Sequence, residues 1–244
     1  MRDALKVYIG WDALDMDAYK VCEESLRDFS SVPLNVTCLK EHKVRATGLY
    51  WRPYRVDEKG QRWDDRDGRP YSTGFSFTRF AIPAMEHYDE GWVLFCDPDM
   101  LWQADVAELF AEADNDKALM CVPHDHTPPE LDKMGGLLQT QYHRKNWSSL
   151  MLFNVHKNES LTKYRLNNMT GSWLHGMNWL KDEEIGALGE AWNWLEGWSD
   201  PAIDPKVIHY TRGTPDLPGC ADVQYADRWW SALRGEPLAP SQAA

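Results

Sequence analysis

Cysteine is scarce and scattered in this chain. Cys22, Cys38, Cys96, Cys121 and Cys220 include no C-x-x-C pair. Such an odd, dispersed set argues against a disulfide or zinc framework and for a reducing, cytoplasmic setting. Basic charge is also short: 26 Lys and Arg against 38 Asp and Glu leave a formal net charge of −12. A bulk nucleic-acid or anionic-membrane binder would carry a basic face, so a nucleic-acid partner or acceptor is not favoured. Long apolar runs are missing; none approaches the roughly 18 residues of a membrane span. Residues Met1–Asp15 lack a basic start followed by a long apolar stretch, so no signal peptide is expected. No G-x-x-x-x-G-K-[ST] or G-x-G-x-x-G loop occurs, which speaks against ATP or NAD enzymes. There is no internal repeat.

What is present reads as an α/β chain. The 244 residues, with an ordinary apolar share of 43%, suffice for one large domain or two small ones. Lys6–Gly10, Pro33–Leu39, Trp92–Cys96, Ala118–Pro123, Ser149–Val155 and Lys206–Tyr210 read as strands. Asp15–Phe29, Gly74–Tyr88 and Asp105–Ala113 carry helical spacing, with Pro83 an irregularity in the second. Gly48–Thr73 is too long and polar for an ordinary connector and predicts a hairpin or flap. Strands alternating with helices predict a mainly parallel central sheet covered on both faces. One domain over residues 1–236 is expected, with 237–244 a flexible tail.

Asp97-Pro98-Asp99-Met100 follows directly on the apolar run Trp92–Cys96. Two carboxylates at i and i+2 where a buried strand ends oppose joint ionisation unless a cation lies between them. Hard oxygen ligands suit Mg²⁺ or Mn²⁺, and strand ends of α/β sheets are where ligands bind. The alternative is an exposed turn, which Pro favours. His124-Asp125-His126 also has the look of a ligand cluster, or of a loop on the acceptor side. The 13 Trp suit either core packing or a sugar platform. Trp51 and Trp63, in the long polar segment, are the better candidates for ligand contact.

These landmarks together resemble a GT-A-fold glycosyltransferase, similar to glycosyltransferase family 8. The resemblance runs from about Lys6 to Tyr225. It is carried by Val7-Tyr8-Ile9-Gly10-Trp11-Asp12, by Ser76-Phe77-Thr78-Arg79-Phe80 and by Asp97-Pro98-Asp99 as the D-x-D motif. Trp147 to Asn154 resembles the family's N-S-G-V-L-L-I-N strand, Asp182-Glu183 its Asp-Gln, and Ile208-His209-Tyr210 the start of its H-x-x-G-x-x-K-P-W segment. Three departures stand out. Trp147 and Ser149 replace Asn and Gly, Glu183 replaces Gln, and after His209 the glycine comes one position late with the lysine missing.

The resemblance implies a Rossmann-like three-layer α/β/α fold and transfer of a sugar from a nucleotide diphosphate sugar, a UDP-sugar, with retention. It implies Asp97, Asp99 and His209 as ligands of Mn²⁺ or Mg²⁺. Oxygen with one imidazole suits Mn²⁺ somewhat better. Tyr8, Gly10, Asp12, Arg79, Asp97 and Pro98 fall on the donor side. Arg212 stands in for the missing lysine at the diphosphate, because a guanidinium binds phosphate bidentately. Asp182 and Glu183 become the candidate catalytic pair, with helix capping as their alternative. The acceptor is a glycan or small molecule. A nucleotidyl- or phosphoryl-transfer enzyme using the same acids, and a catalytically silent sugar-binding protein, are the rival readings.

Overall fold

The computed structural model describes residues 4–125, 132–133, 137–138 and 143–238. Its central sheet is built from the apolar runs. In chain order β1 (Leu5–Trp11), α1 (Met16–Phe29), β2 (Leu34–Lys40) and α2 (Glu41–Ala46) open the chain. Three short strands follow, β3 (Tyr54–Val56), β4 (Arg62–Asp64) and β5 (Pro70–Tyr71), then α3 (Phe75–Thr78) and α4 (Ile82–Met85). Next come β6 (Trp92–Cys96), β7 (Met100–Trp102), α5 (Val106–Ala111), β8 (Leu119–Cys121), β9 (Asp132–Lys133) and β10 (Leu137–Leu138). The rest is β11 (Leu150–Asn154), α6 (Lys163–Asn168), α7 (Gly171–His175), β12 (Ile185–Ala187), β13 (Trp194–Leu195), β14 (Val207–His209) and α8 (Ala226–Leu233).

The six-stranded sheet has the order β12-β8-β11-β6-β1-β2, with only β11 antiparallel to its neighbours. Its mainly parallel character is as the sequence predicts. Side chains alternate between the faces, as the strand period of two requires. Tyr8, Phe95, Met151 and Phe153 enter one core with the α3–α4 segment. Val7, Ile9, Leu94, Cys96, Leu150 and Leu152 enter the other with α1 and α5. α1 buries Ala18, Val21, Cys22, Ser25 and Leu26, the stripe its 3.6 period predicts. Each fully buried large apolar side chain contributes about 1.5–3 kcal/mol, so these two cores set the stability of the sheet.

A second sheet, β13-β14-β7, carries a third core in which Trp194, Ile208, Tyr210 and Trp229 meet Val21 and Leu101. Here β14 runs antiparallel to β7, with His209 opposite Met100. That register brings a histidine 110 positions downstream against the end of the Asp97–Asp99 motif.

The expected helix over Gly74–Tyr88 departs from the sequence reading, the long polar segment forms hairpins as that reading allows, and β7, β12, β13, α2, α6, α7 and α8 lie outside it. The helix expected over Gly74–Tyr88 is broken into α3, a 3-10 turn at Arg79–Ala81, and α4. Pro83 has no N–H to donate back, and His87 and Tyr88 take positive φ of 56° and 57°, which ends the segment. The long polar segment folds into the antiparallel sheet β3-β4-β5. A buried ion pair between Arg52 and Asp64 pins it, and the Arg52 guanidinium also donates to the Leu166 and Met169 carbonyls. All five cysteines are free.

Candidate metal and nucleotide site

β6 ends at Cys96, and the next three residues turn the chain into β7. Two backbone bonds hold this turn: Asp97 N–H donates to Ser149 O at 2.8 Å, and Tyr210 N–H donates to Asp99 O at 2.9 Å. Both carboxylates are therefore fixed at the sheet's end by strands distant in sequence. The ligand atoms of Asp97, Asp99 and His209 all lie within 4.8 Å of one another, and all three residues are buried. No other cluster of three such groups occurs among the described residues.

The donor chemistry fits a divalent cation. His209 Nδ1 lies 2.9 Å from the Asn193 side-chain oxygen, an acceptor, so Nδ1 carries the proton. In the neutral ring Nε2 then has a bare lone pair, and it lies 3.3 Å from Asp99 Oδ1. Nε2 forms no hydrogen bond with the described residues. Two electron-rich atoms facing each other, with side chains 2% and 8% exposed, form an arrangement that a metal ion stabilises. Asn193 is in turn held by donating to Ser149 Oγ at 2.9 Å and to the Asn146 carbonyl at 3.3 Å. Arg79 closes the other side. Its guanidinium pairs with Asp97 Oδ1 at 2.8 Å, donates to Ser148 O at 2.7 Å, and lies over the Phe95 ring.

The remaining sequence candidates are placed around this centre in different ways. Pro98 sits between the two acids. Gly10 is required by packing: a Cβ there would lie 2.7 Å from the Phe75 ring. The Tyr8 hydroxyl donates to Glu86 on the α3–α4 side of the sheet, and burial pushes its pKa up. Asp12, at the end of β1, accepts from Arg62 of the three-stranded sheet at 2.7 Å and from Gly74 N–H at 2.7 Å. Burial raises the Asp12 carboxyl, but the bonds from Arg62, Gly74 and Leu14 outweigh it and hold the pKa below the ordinary carboxylate value. Arg212 is exposed, with its guanidinium 5.7 Å over the Trp198 ring.

Asp182 and Glu183 stand apart from the metal ligands, in the 3-10 turn before β12. β12 is parallel to β8, so this turn precedes the sheet at the end opposite the close of β6. The Asp182 side chain is 89% exposed and pairs with Arg144. The turn is capped by Glu184, whose carboxylate accepts from Lys181 N–H.

Beside Asp97 opens a narrow cleft with a cavity volume of about 70 Å³. Its walls include Arg79, Lys145, Ser148, Ser149 and His175, with Tyr71 from the three-stranded sheet. Ser148 Oγ and His175 Nδ1 are 2.8 Å apart, and His175 also meets Phe77 and Phe80 edge-on or tilted. Lys145 and Asn193 escaped sequence reasoning, since no spacing joins them to a motif. Ser148 lay within the Trp147–Asn154 resemblance, and His175, which has no partner spacing, reads from the sequence as a surface or core residue. His124 and Asp125 line a second pocket with Glu190 and Trp198, whose side chain is 38% exposed. His126 lies outside the described residues. Trp102, Trp192, Trp194 and Trp229 are buried core residues.

No family model matches the chain. It is 42% identical over 239 residues to Protein CDI of Arabidopsis thaliana, a match covering 95% of this chain and 87% of that protein. Among solved structures it superposes on the bifunctional glycosyltransferase WbbM with a TM-score of 0.61 at 16% identity, covering 97% of this chain. It spans half the length of WbbM. The glycosyltransferase GlyE of Streptococcus pneumoniae gives 0.56 at 14% identity, over 98% of this chain and 66% of GlyE. The galactosyltransferase LgtC, solved with donor and acceptor sugar analogs, gives 0.57 at 14% identity, over 98% of both chains. The fold is that of the GT-A glycosyltransferases.

Proposed function

The chain belongs to the same family as Protein CDI of Arabidopsis thaliana, and from this premise we propose that it is a metal-dependent glycosyltransferase. It takes a sugar from a nucleoside diphosphate sugar, a UDP-sugar, and passes it with retention to a glycan or small-molecule acceptor. The observation that carries the reading is the buried convergence of Asp97, Asp99 and His209 beside a polar cleft. That LgtC, on the same fold, holds donor and acceptor sugar analogs supports it.

A divalent cation held by these three residues, Mn²⁺ in preference to Mg²⁺, supplies Lewis-acid stabilisation of the diphosphate leaving group. The protein's own groups do the positioning. Arg79 fixes the Asp97 carboxylate and ties it to the Ser148 carbonyl. Asn193 fixes the His209 tautomer and ring plane. Ser148, Ser149 and His175 give the cleft wall groups suited to sugar hydroxyls. Asp12 lies at the end of β1, oriented by Arg62 and Gly74, and in this reading it is the group assigned to the ribose or base. Five free cysteines fit a reducing, cytoplasmic setting.

A thermal-shift panel of nucleotides and nucleotide sugars with Mn²⁺ tests the reading. A ligand that binds only the folded chain raises its melting temperature by mass action. The expected result is a shift by one nucleotide series, with slow release of free nucleoside diphosphate. Pyrophosphate release would replace the reading with nucleotidyl transfer. No shift with any nucleotide would refute it.

A further inference from the structure

The hairpin turn between β4 and β5, Asp65-Arg66-Asp67-Gly68, brings the long polar segment to the Asp97 cleft. Gly68, at φ 71°, lets the chain reverse. Gly68 N–H donates to Asp64 O at 2.8 Å, and Asp64 N–H to Arg69 O at 2.9 Å. Three acids stand on this hairpin, and their surroundings differ. Asp64 is buried against Arg52, and Asp65 pairs with Arg55. Asp67 is in no salt bridge among the described residues, yet it is half-buried while Asp65, Arg66, Gly68 and Arg69 around it are exposed. It lines the cleft beside Asp97. We infer that Asp67 is the carboxylate that holds hydroxyls of the transferred sugar; this rests on the nucleotide-sugar reading above.

Both of its oxygens are fixed. Oδ1 accepts from Arg69 N–H and Oδ2 from Gly171 N–H, each at 3.0 Å. A carboxylate offers about four lone-pair sites, so about half of its capacity stays open to donors from a ligand. A hydroxyl that donates to it forms a charge-assisted bond, roughly twice as strong as a neutral one. The turn is anchored on the far side as well: Arg66 Nε donates to Asn167 O at 2.8 Å, and Arg52, which holds Asp64, donates to the Leu166 and Met169 carbonyls. From Gly171 the contacts run on through α7 to the metal ligands. His175 meets Ser148 Oγ at 2.8 Å, Ser148 O accepts from Arg79, and Arg79 pairs with Asp97. One framework therefore sets the spacing between Asp67 and the metal centre.

Charge and size lead to the same role. Among the described residues, Asp67 and Asp97 are the two carboxylates on the cleft wall. Asp97 is committed to the cation and to Arg79. Asp182 and Glu183, to which the resemblance gives this task, lie at the other end of the sheet. At about 10–15 Å³ for each water, a cavity of about 70 Å³ takes roughly five or six, close to the oxygens of a single sugar ring. The sugar joined to a metal-bound diphosphate is the ring that comes next to Asp97. Asp67 also satisfies Gly171 N–H at the start of α7, a scaffold task that the experiment must separate from sugar contact.

The test is turnover of nucleotide sugars by the full chain with Mn²⁺, read as release of nucleoside diphosphate. UDP-glucose, UDP-galactose, UDP-xylose and GDP-mannose serve as donors, with calorimetric titration of UDP and GDP alongside. Asp67→Asn should leave nucleoside diphosphate affinity within about twofold and lower kcat/KM for the preferred donor about ten- to a hundredfold, as loss of a charge-assisted bond does. Deoxy forms of that donor make the decisive comparison. Removing the hydroxyl that Asp67 holds should cost the wild type about tenfold and cost Asp67→Asn almost nothing further, the coupling expected of direct contact. Thr170→Ala removes the side chain that caps α7 by accepting from Trp173 N–H. It should lower the melting temperature and leave the donor comparison as in the wild type. If Asp67→Asn does not fold, Asp67→Ser keeps an acceptor and serves the same comparison. Equal losses for every deoxy donor in wild type and variant would make Asp67 a scaffold residue and overturn the inference. Unimpaired turnover by a folded Asp67→Asn protein overturns it too, and so does a loss of UDP affinity as large as the loss of kcat/KM. Failure of the wild type to bind any nucleoside diphosphate is a different result, and sinks the nucleotide-sugar reading itself.

Discussion

At the scale of single residues, the site is a set of mutually oriented acceptors, and its members differ in what they hold. Asp99 faces His209 Nε2 directly, so Asp99→Asn should abolish the melting shift produced by Mn²⁺ and cut turnover on the order of 10²-fold or more. Asn193→Ala should leave all ligands in place but weaken Mn²⁺ about 10–100-fold, because His209 loses the bond that fixes its tautomer. A Mn²⁺ titration followed by melting temperature measures both, and wild-type behaviour in either would count against the metal centre. Asp12 carries the pH signature. Its folded pKa lies below the ordinary carboxylate value, so its ionised form contributes stability that is fully present above about pH 4. That contribution is lost as pH falls through the folded pKa. The melting difference between wild type and Asp12→Asn should therefore be largest near neutrality and close at acid pH. A difference that grows on acidification would contradict the assignment.

At the scale of elements, two local structures divide the candidates between chemistry and scaffold. The three-stranded sheet is pinned by Arg52 and Asp64, and breaking a buried pair by removing one partner costs about 3–5 kcal/mol. Burial raises the Asp64 carboxyl even with Arg52 beside it, which marks how thoroughly the pair is removed from water. Asp64→Ala should loosen Tyr54–Tyr71 before the central sheet unfolds, seen as early proteolytic cleavage within that segment. Cleavage elsewhere first would show that the pair does not anchor the flap. The turn at Asp182–Glu184 is the second such element. Asp182 and Glu183 are exposed and Asp182 is paired with Arg144, a geometry worth about 0–1 kcal/mol. Asp182→Asn should therefore leave turnover within a few-fold of wild type; a large fall in kcat at unchanged nucleotide affinity would return Asp182 to the chemistry.

For the whole molecule, the site depends on the joint between two sheets. Asp97 and Asp99 leave the six-stranded sheet, while His209 arrives on the smaller one, so the cores on both sides set the ligand geometry. Trp229 of α8 packs with Trp194, Tyr210 and Val21, and Tyr210 donates its backbone N–H to Asp99. Trp229→Ala should cost about 3–5 kcal/mol, roughly 10 °C of melting temperature for a chain of this size. The Mn²⁺ response should weaken with it, because the β14 register is what seats His209. A destabilised variant with an intact metal response would show the joint to be more robust than this packing implies. No helix among the described residues is long and apolar enough to cross a membrane.

Periodicity and charge along the chain did not reach the short strands β7, β12 and β13, but were enough to determine β1, β2, β6, β8, β11 and β14, the helices α1 and α5, the mainly parallel sheet and the place of Asp97 and Asp99 where β6 runs out. Those are local matters: a period of two or 3.6 and an acidic pair after an apolar run are written in consecutive residues. The pairing of His209 with the acids was legible only through the family resemblance. Its physical cause is the β14–β7 register, which no local pattern contains. Tertiary structure alone decided that Arg62 reaches Asp12, that Asn193 orients His209, and that Lys145 enters the cleft while Arg212 rests on Trp198. It also decided that Asp182 and Glu183 stand at the far end of the sheet from the metal ligands. Each of these contacts joins residues brought together by strand register and by turns of positive φ, and such long-range geometry is set by packing rather than by neighbours in the chain.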